Sequence, residues 1–358
     1  MEGYEVSYTA KDMILYALSL GMGSHSDDSN ELKFLYEEHE KFTGVPTFCF
    51  SFTFWAQKQR NLLSMETTTQ QIPPFPPPIM SEAEVIPRQF LRSNTDISNC
   101  PVIHTWQSIV WHRPMDIPKR HSNHTIKSII NSSTISIQPK SIGTFVTSQS
   151  KITAYDNSRL SCTMQSTALV LGVDPKNAVA FDAGVPKLTC VLKTSKVKQA
   201  QEKPSLFQWT YQTSQSQALL YRLTSGDSNH IHVDISASEM LGTEKKAPLL
   251  HGLFTLALAF RAIVKLFDST SGDLGDDHEL FFRRLEGAFK TPAFVGESLC
   301  VKIWNDKIIT SENKSDRSLR RFFFVIINNS TGATLVDKGY AEVEIISEFS
   351  SSAKRSRL

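Results

Sequence analysis

Apolar residues recur at helical spacing near the start of the chain, at Met13, Ile14, Ala17 and Leu18, with Thr9 and Asp12 ahead of them and Gly21 behind. Thr9 as N-cap with Asp12 three positions on satisfies amides of the first turn, so the spacing predicts a helix that Gly21 ends. From Val102 to Ala180 the pattern changes to short runs rich in Val, Ile, Thr and Phe, such as SIIN, TISI, TFVT and TALVLGV, separated by Ser, Asn and Gly. Such runs predict strands of an antiparallel sheet. A polar stretch from Lys193 to Lys203 then breaks the apolar pattern and reads as a linker, with the boundary near residue 200.

The second half repeats this grammar. Gly252 to Leu266 is a long apolar helix, Phe289 to Glu297 leads into the strand SLCVKIW, and RFFFVIIN and YAEVEII complete a sheet with a turn at Asn328 to Gly332. One buried helix followed by several antiparallel strands, twice, predicts an α+β fold of two sheets, each wrapped around a helix. The expected division is 1–192, a linker at 193–205, a second unit at 206–348 and a tail at 349–358. Residues 71–78, QIPPFPPP, exclude regular helix and interior strand. Without suitably placed basic neighbours they read as a solvated surface loop rather than an SH3-type ligand.

Composition narrows the class. Across 358 residues the formal charge is only +2, so no broad cationic field points to nucleic acid. The greasiest stretch, Pro248 to Phe267, is interrupted by His251, Arg261 and Lys265, and no membrane span is expected. Cys49, Cys100, Cys162, Cys190 and Cys300 are odd in number and widely spaced, which fits a reducing compartment. The N-terminal MEGYEVSYTAKDM has neither the apolar core of a secretory signal nor the Arg-rich character of a mitochondrial presequence. The chain ends in Ser356-Arg357-Leu358 behind Lys354 and Arg355, and a small residue, a basic residue and leucine form the type of address that a peroxisomal import receptor reads. A peroxisomal matrix location is therefore expected.

Chemistry concentrates in YRLTSGDSNHIHVD, residues 221–234, and in Leu249-Leu250-His251-Gly252 at the mouth of the apolar helix. Asp227 and His232 are close enough in sequence for a loop to bring a carboxylate and an imidazole onto one water molecule, as hydration of an activated double bond demands. Taken alone, G-D-x-N is more often a turn in which Asp and Asn bond their own backbone. Gly252 adds the second half of a site, because a helix N-terminus without a side chain lets a polarised carbonyl reach the amides. The bland alternative is that Gly252 permits tight packing only.

Three blocks, YRLTSGDSNHIHVD, LLHGLFTLALAFRAIV and FKTPAFVGESL, resemble the signatures of the MaoC-like hydratase 2 family, and YTAKDMILYALSLG, LKFLYE, VPTF and IHTWQSIVWHRPM follow the family's order in the first half. The resemblance spans about residues 4–345. It implies a double hot dog fold and (R)-specific hydration of trans-2-enoyl-CoA in fatty-acid β-oxidation. It further implies Asp227 and His232 as the water-activating pair, Gly252 as the amide facing the thioester oxygen, and Asn229 as loop support. His251 and Phe289 belong with the substrate pocket, and His104 and Lys140 with the coenzyme A side. The expected partner is an acyl-CoA thioester, with a homodimer left open, and no metal or redox cofactor is expected because the thioester itself is the electron sink. Three departures stand out. The family's N-P-L-H is Asn229-His230-Ile231-His232 here, one residue is added between Tyr221 and Gly226, and an H-G-E-Q block is His104-Thr105-Trp106-Gln107.

Other readings compete with hydration. His230, His232 and Asp234 could form an H-x-H-x-D metal group if the segment were a strand, although Ile235 stands where such clusters carry another His. A hot dog thioesterase would polarise the same carbonyl without the Asp and His pair. A non-catalytic acyl-CoA binder would have no need of an acid beside an imidazole.

Overall fold

The short helix forms where its cap requires it. In the computed structural model Thr9 Oγ1 accepts the Asp12 amide at 3.4 Å while Asp12 Oδ2 accepts the Thr9 amide at 2.8 Å, and the helix runs Ala10–Ser19 before Gly21 turns the chain at φ 76°. The structure describes residues 3–23, 29–66, 86–92, 95–97, 100–119, 124–156, 158–189, 201–236, 245–269, 278–309 and 317–347. The proline run, most of the Lys-rich linker and the C-terminal tripeptide lie outside them.

The elements repeat in order. The first half has β1 (Tyr4–Tyr8), α1 (Ala10–Ser19), α2 (Phe50–Glu66), β2 (Val102–Trp111), β3 (Ile126–Lys140), β4 (Gly143–Ala154) and β5 (Leu160–Leu171), with β6 (Phe181–Asp182) added on β3. The second half has β7 (Phe207–Gln212), α3 (Gln217–Ser225), α4 (Gly252–Ser269), β8 (His278–Phe289), β9 (Ser298–Ile309), β10 (Arg317–Asn328) and β11 (Thr334–Ser347). Strand order is β1-β3-β4-β5-β2-β8-β11-β10-β9-β7, so the second half mirrors the first about a β2–β8 seam. The two expected sheets are thus joined edge to edge, with Ser108 opposite Glu286 and Ile109 opposite Leu285, and each closes an edge the other would leave open.

Burial follows the sequence pattern. Every residue of α4 from Leu253 to Val264 is buried, as a helix apolar all round must be, against Phe282, Leu285, Val301, Ile303, Phe322 and Val343 of the sheet. The runs SIIN and TISI are parts of one strand, β3. The intervening Ser132 and Ser133 stay paired with β4, where the Ser132 and Ser150 hydroxyls meet at 2.7 Å. At Asn328 the side-chain carbonyl accepts the Ser330 and Thr331 amides at 3.0 and 3.1 Å, forming the expected turn into β11.

One buried ion pair pins the halves. Arg261, in the middle of α4, donates through Nε and Nη2 to Glu31 at 2.7 and 3.0 Å, and Nη1 reaches the Leu20 carbonyl at 3.3 Å. The rings of Trp209 and Tyr211 on β7 lie 5.0 and 5.3 Å from the guanidinium carbon.

Candidate active site

The site is built where α3 ends. Gly226 closes α3 in the left-handed region at φ 78°, and a Cβ there would stand 2.7 Å from the Trp55 ring of α2, so both conformation and space require glycine. Asp227 Oδ1 accepts the Asn229 amide at 3.0 Å, and Asn229 Oδ1 accepts the Ile231 amide at 3.3 Å, winding His230–His232 into a 3-10 turn. Asn229 therefore supports the loop. Position 230 opens this turn, where a backbone N–H has no acceptor within the turn, so His230 can stand in proline's place without altering the winding. The added residue between Tyr221 and Gly226 is taken up within α3, where Thr224 Oγ1 lies 3.0 Å from Ser19 Oγ.

Three side chains converge. His232 Nδ1 lies 2.9 Å from the Leu249 carbonyl, which can only accept, so Nδ1 carries the proton and Nε2 presents a lone pair. That Nε2 is 3.8 Å from Asp227 Oδ2, and His251 Nε2 is 3.9 Å from the same oxygen. The two imidazoles are stacked, centroids 3.6 Å apart and planes 20° apart. Burial lowers the His232 pKa below its ordinary value, with Arg222 and His230 adding to the effect and Asp227 and the Leu249 carbonyl opposing it. His251 is pushed well below by burial, by His232 and by Arg222. Both rings are neutral near pH 7.

Backbone bonds fix this arrangement. Leu249 N–H donates to Ile231 at 3.1 Å, Leu250 N–H to Ala293 at 2.7 Å and Val295 N–H to Pro248 at 3.2 Å, so the His232 turn, the approach to α4 and the segment after β8 are stitched together. His251 then leads into α4, its carbonyl accepting the Thr255 amide at 3.0 Å. Gly252 is the first helical residue, and its amide belongs to the group that a helix leaves without an internal acceptor. Phe289, at the end of β8, covers it: a Cβ on Gly252 would stand 3.2 Å from the ring.

His104 backs Phe289, ring centroids 4.7 Å apart, beside a bulge in β2. Its Nε2 is 3.0 Å from both the Trp106 carbonyl and Ser166 Oγ, and burial pulls its pKa down to about 4. His104 is thus neutral at pH 7 and offers a phosphate no charge. Lys140 is exposed at the end of β3, three strands from β2, about 14 Å across the sheet, and is not part of the cluster.

The H-x-H-x-D reading is corrected, because its premise of a strand fails. His230–His232 is a 3-10 turn, and Asp234 Oδ1 is engaged by the Ser236 amide and hydroxyl at 2.9 and 2.8 Å. Among the described residues, the donor atoms that come within 4.8 Å of one another are those of Asp227, His232 and His251.

What sequence reasoning missed is the pairing of His232 with His251, nineteen positions away, and the approach of Trp55 from the other half. No local motif signals either contact.

Two family profiles match the chain: the MaoC like domain over residues 196–319, and the MFE-2 hydratase 2 N-terminal domain over residues 6–75. The peroxisomal multifunctional enzyme type 2 of Drosophila melanogaster is 26% identical over 298 residues, covering 83% of this chain and 41% of its own length. The chain therefore spans about two fifths of that relative. A peroxisomal enoyl-CoA hydratase 2 of Arabidopsis thaliana is 27% identical over 306 residues, covering 83% of this chain and 82% of its own. Among solved structures, a MaoC-like dehydratase from Phytophthora capsici superposes with a TM-score of 0.61 at 23% identity, covering 96% of this chain and 94% of its own, and has the same fold.

Proposed function

Because the chain belongs to the MaoC-like hydratase 2 family, a family of hydro-lyases, we propose that it adds water to trans-2-enoyl-CoA thioesters, giving (3R)-3-hydroxyacyl-CoA, and catalyses the reverse dehydration. The observation that carries this reading is the 3.8 Å gap between Asp227 Oδ2 and His232 Nε2 beside the first amide of α4. It is too wide for a direct hydrogen bond and suits one bridging water.

Each group then has a task. The water gives its two hydrogens to Asp227 Oδ2 and His232 Nε2, leaving a lone pair free for C3. The thioester oxygen takes the Gly252 amide, which holds the enolate charge formed as the C3–O bond closes and the π pair moves toward the carbonyl. One proton of the water passes to one of the pair as the C3–O bond forms, the other stays on the new hydroxyl, and the pair returns one proton to C2 as the enolate collapses. Residues 206–348 carry this chemistry in our reading, and residues 1–192 accommodate the acyl chain.

The test is purified protein with trans-2-decenoyl-CoA, following loss of the enoyl absorbance with chiral analysis of the product. The expected product is the (R)-alcohol. An (S)-product, or free coenzyme A as a thioesterase would release, overturns the assignment. The peroxisomal names of the fly and plant relatives support a location in that organelle, at an address read by its import receptor. A fluorescent fusion lacking Leu358 should stay in the cytosol, and continued import would remove the tripeptide from the proposal.

A further inference from the structure

His251 is the group that the pairwise mechanism leaves unexplained. Its side chain is 2% exposed, and neither Nδ1 nor Nε2 has a hydrogen-bond partner. A buried polar atom without a partner costs on the order of 1–3 kcal/mol, so such atoms are normally met by something, and here the protein supplies nothing.

The geometry shows what that is. Asp227 Oδ2 stands 3.8 Å from His232 Nε2 and 3.9 Å from His251 Nε2, and one donor atom from each of the three residues lies within 4.8 Å of the others. Each gap is too long for a direct bond. A water just above the triangle reaches all three at roughly 2.8 Å, an ordinary hydrogen-bond length.

We infer that His251 is the third arm of the water site, holding the nucleophile that Asp227 and His232 activate, in place of a role in binding the acyl-CoA itself. The inference rests on the hydratase reading and deepens it. The two hydrogens of the water are committed to Asp227 Oδ2 and His232 Nε2, so the remaining arm must donate to the water oxygen. His251 in its Nε2–H tautomer does this. One lone pair stays free for C3, in a direction fixed by three bonds where two would let the water pivot. The stack on His232, 3.6 Å between centroids, also keeps both rings from rotating. The neutral state that burial imposes on His251 suits this role, since a cation would repel the developing charge on its neighbour.

The test separates holding water from filling space and from binding substrate. His251→Phe keeps the stack and removes the donor; His251→Gln restores a donor. With trans-2-decenoyl-CoA, His251→Phe should lower kcat about thirtyfold while KM stays within about twofold, and His251→Gln should recover to within about fivefold of wild type. Wild-type kcat in His251→Phe, or a raised KM with kcat unchanged, would overturn the inference. Should His251→Phe fail to fold, the Gln variant and a crystal structure of the unliganded protein decide: density for one water within 3.2 Å of all three atoms supports the arm, and a water on Asp227 and His232 alone overturns it. A wild-type chain that leaves the enoyl absorbance unchanged overturns the hydratase reading and this inference with it.

Discussion

Arg261→Met removes the charge at the middle of α4, and the structure sets the expected cost. Among the described residues Glu31, whose side chain is 2% exposed, would keep the Gly23 amide at 2.8 Å and Lys265 Nζ at 3.6 Å, having lost two charge-assisted bonds. Breaking one side of so deeply buried a pair costs about 3–5 kcal/mol, because an uncompensated carboxylate is left behind. Glu31→Gln in the same chain removes that carboxylate while a side-chain oxygen can still accept from Gly23, so the double variant should be more stable than the sum of the single losses by about 2 kcal/mol. Urea unfolding of the four proteins measures this cycle. Turnover of the folded fraction should stay within about threefold, since Arg261 lies about 14 Å along α4 from Gly252. Single losses below about 1 kcal/mol, or losses that simply add, would refute the view that this pair locks the two halves.

Asp227→Asn and His232→Ala should each lower kcat by about a hundredfold or more with circular dichroism unchanged, as removal of a general acid–base requires, and mild losses from both would place the chemistry elsewhere. Gly252→Ala brings a methyl to 3.2 Å from Phe289, which His104 backs at 4.7 Å, so stability should fall by about 1–2 kcal/mol and kcat/KM by tenfold or more; unchanged kinetics would remove this amide from the reaction. His104, His232 and His251 all have folded pKa values below the ordinary 6.5, so the unfolded chain binds more protons below that pH, and stability present above pH 6.5 is lost as pH falls through the folded values. His104, held at about 4, accounts for roughly 3 kcal/mol of that loss by pH 4, and urea midpoints that stay level from pH 7.5 to 5 would contradict the neutral buried state of these rings.

The cap at Thr9, the apolar helix from Gly252, the strands β9 to β11 and the turn at Asn328 were legible because each is set by local chemistry. The edge strands β1 and β7, five and six residues long, carry too little pattern to show themselves. Helix α2 was not seen either, since Phe50, Phe52, Phe54 and Trp55 crowd its first turns with rings that suit a strand equally well. At the site, the Asp227 and Asn229 turn could be read from spacing, as could a glycine at a helix mouth. The stack of His232 on His251 could not, because it depends on Leu249 pairing with Ile231 to fold the approach to α4 back onto the loop.

The mirrored order of elements raises the question of why the proposed mechanism draws its groups from one half. Phe50 opens α2 as Gly252 opens α4, and Cys49 precedes it as His251 precedes Gly252. Phe50 is 1% exposed, and its amide already donates to the Thr47 carbonyl because the 3-10 turn Pro46–Cys49 runs straight into α2, so that amide is neither bare nor free for a carbonyl oxygen. Cys49 is engaged with the Pro46 carbonyl at 2.9 Å, so no buried imidazole with unmet bonds waits there. That half still bears on the reaction, because Trp55 fills the space beside Gly226 that sets the backbone leading into Asp227, and β2 covers the edge of β8 that ends in Phe289. Residues 206–347 alone would expose both and leave the Asp227 loop without the wall that fixes its turn, so in the proposed mechanism the first half frames that loop.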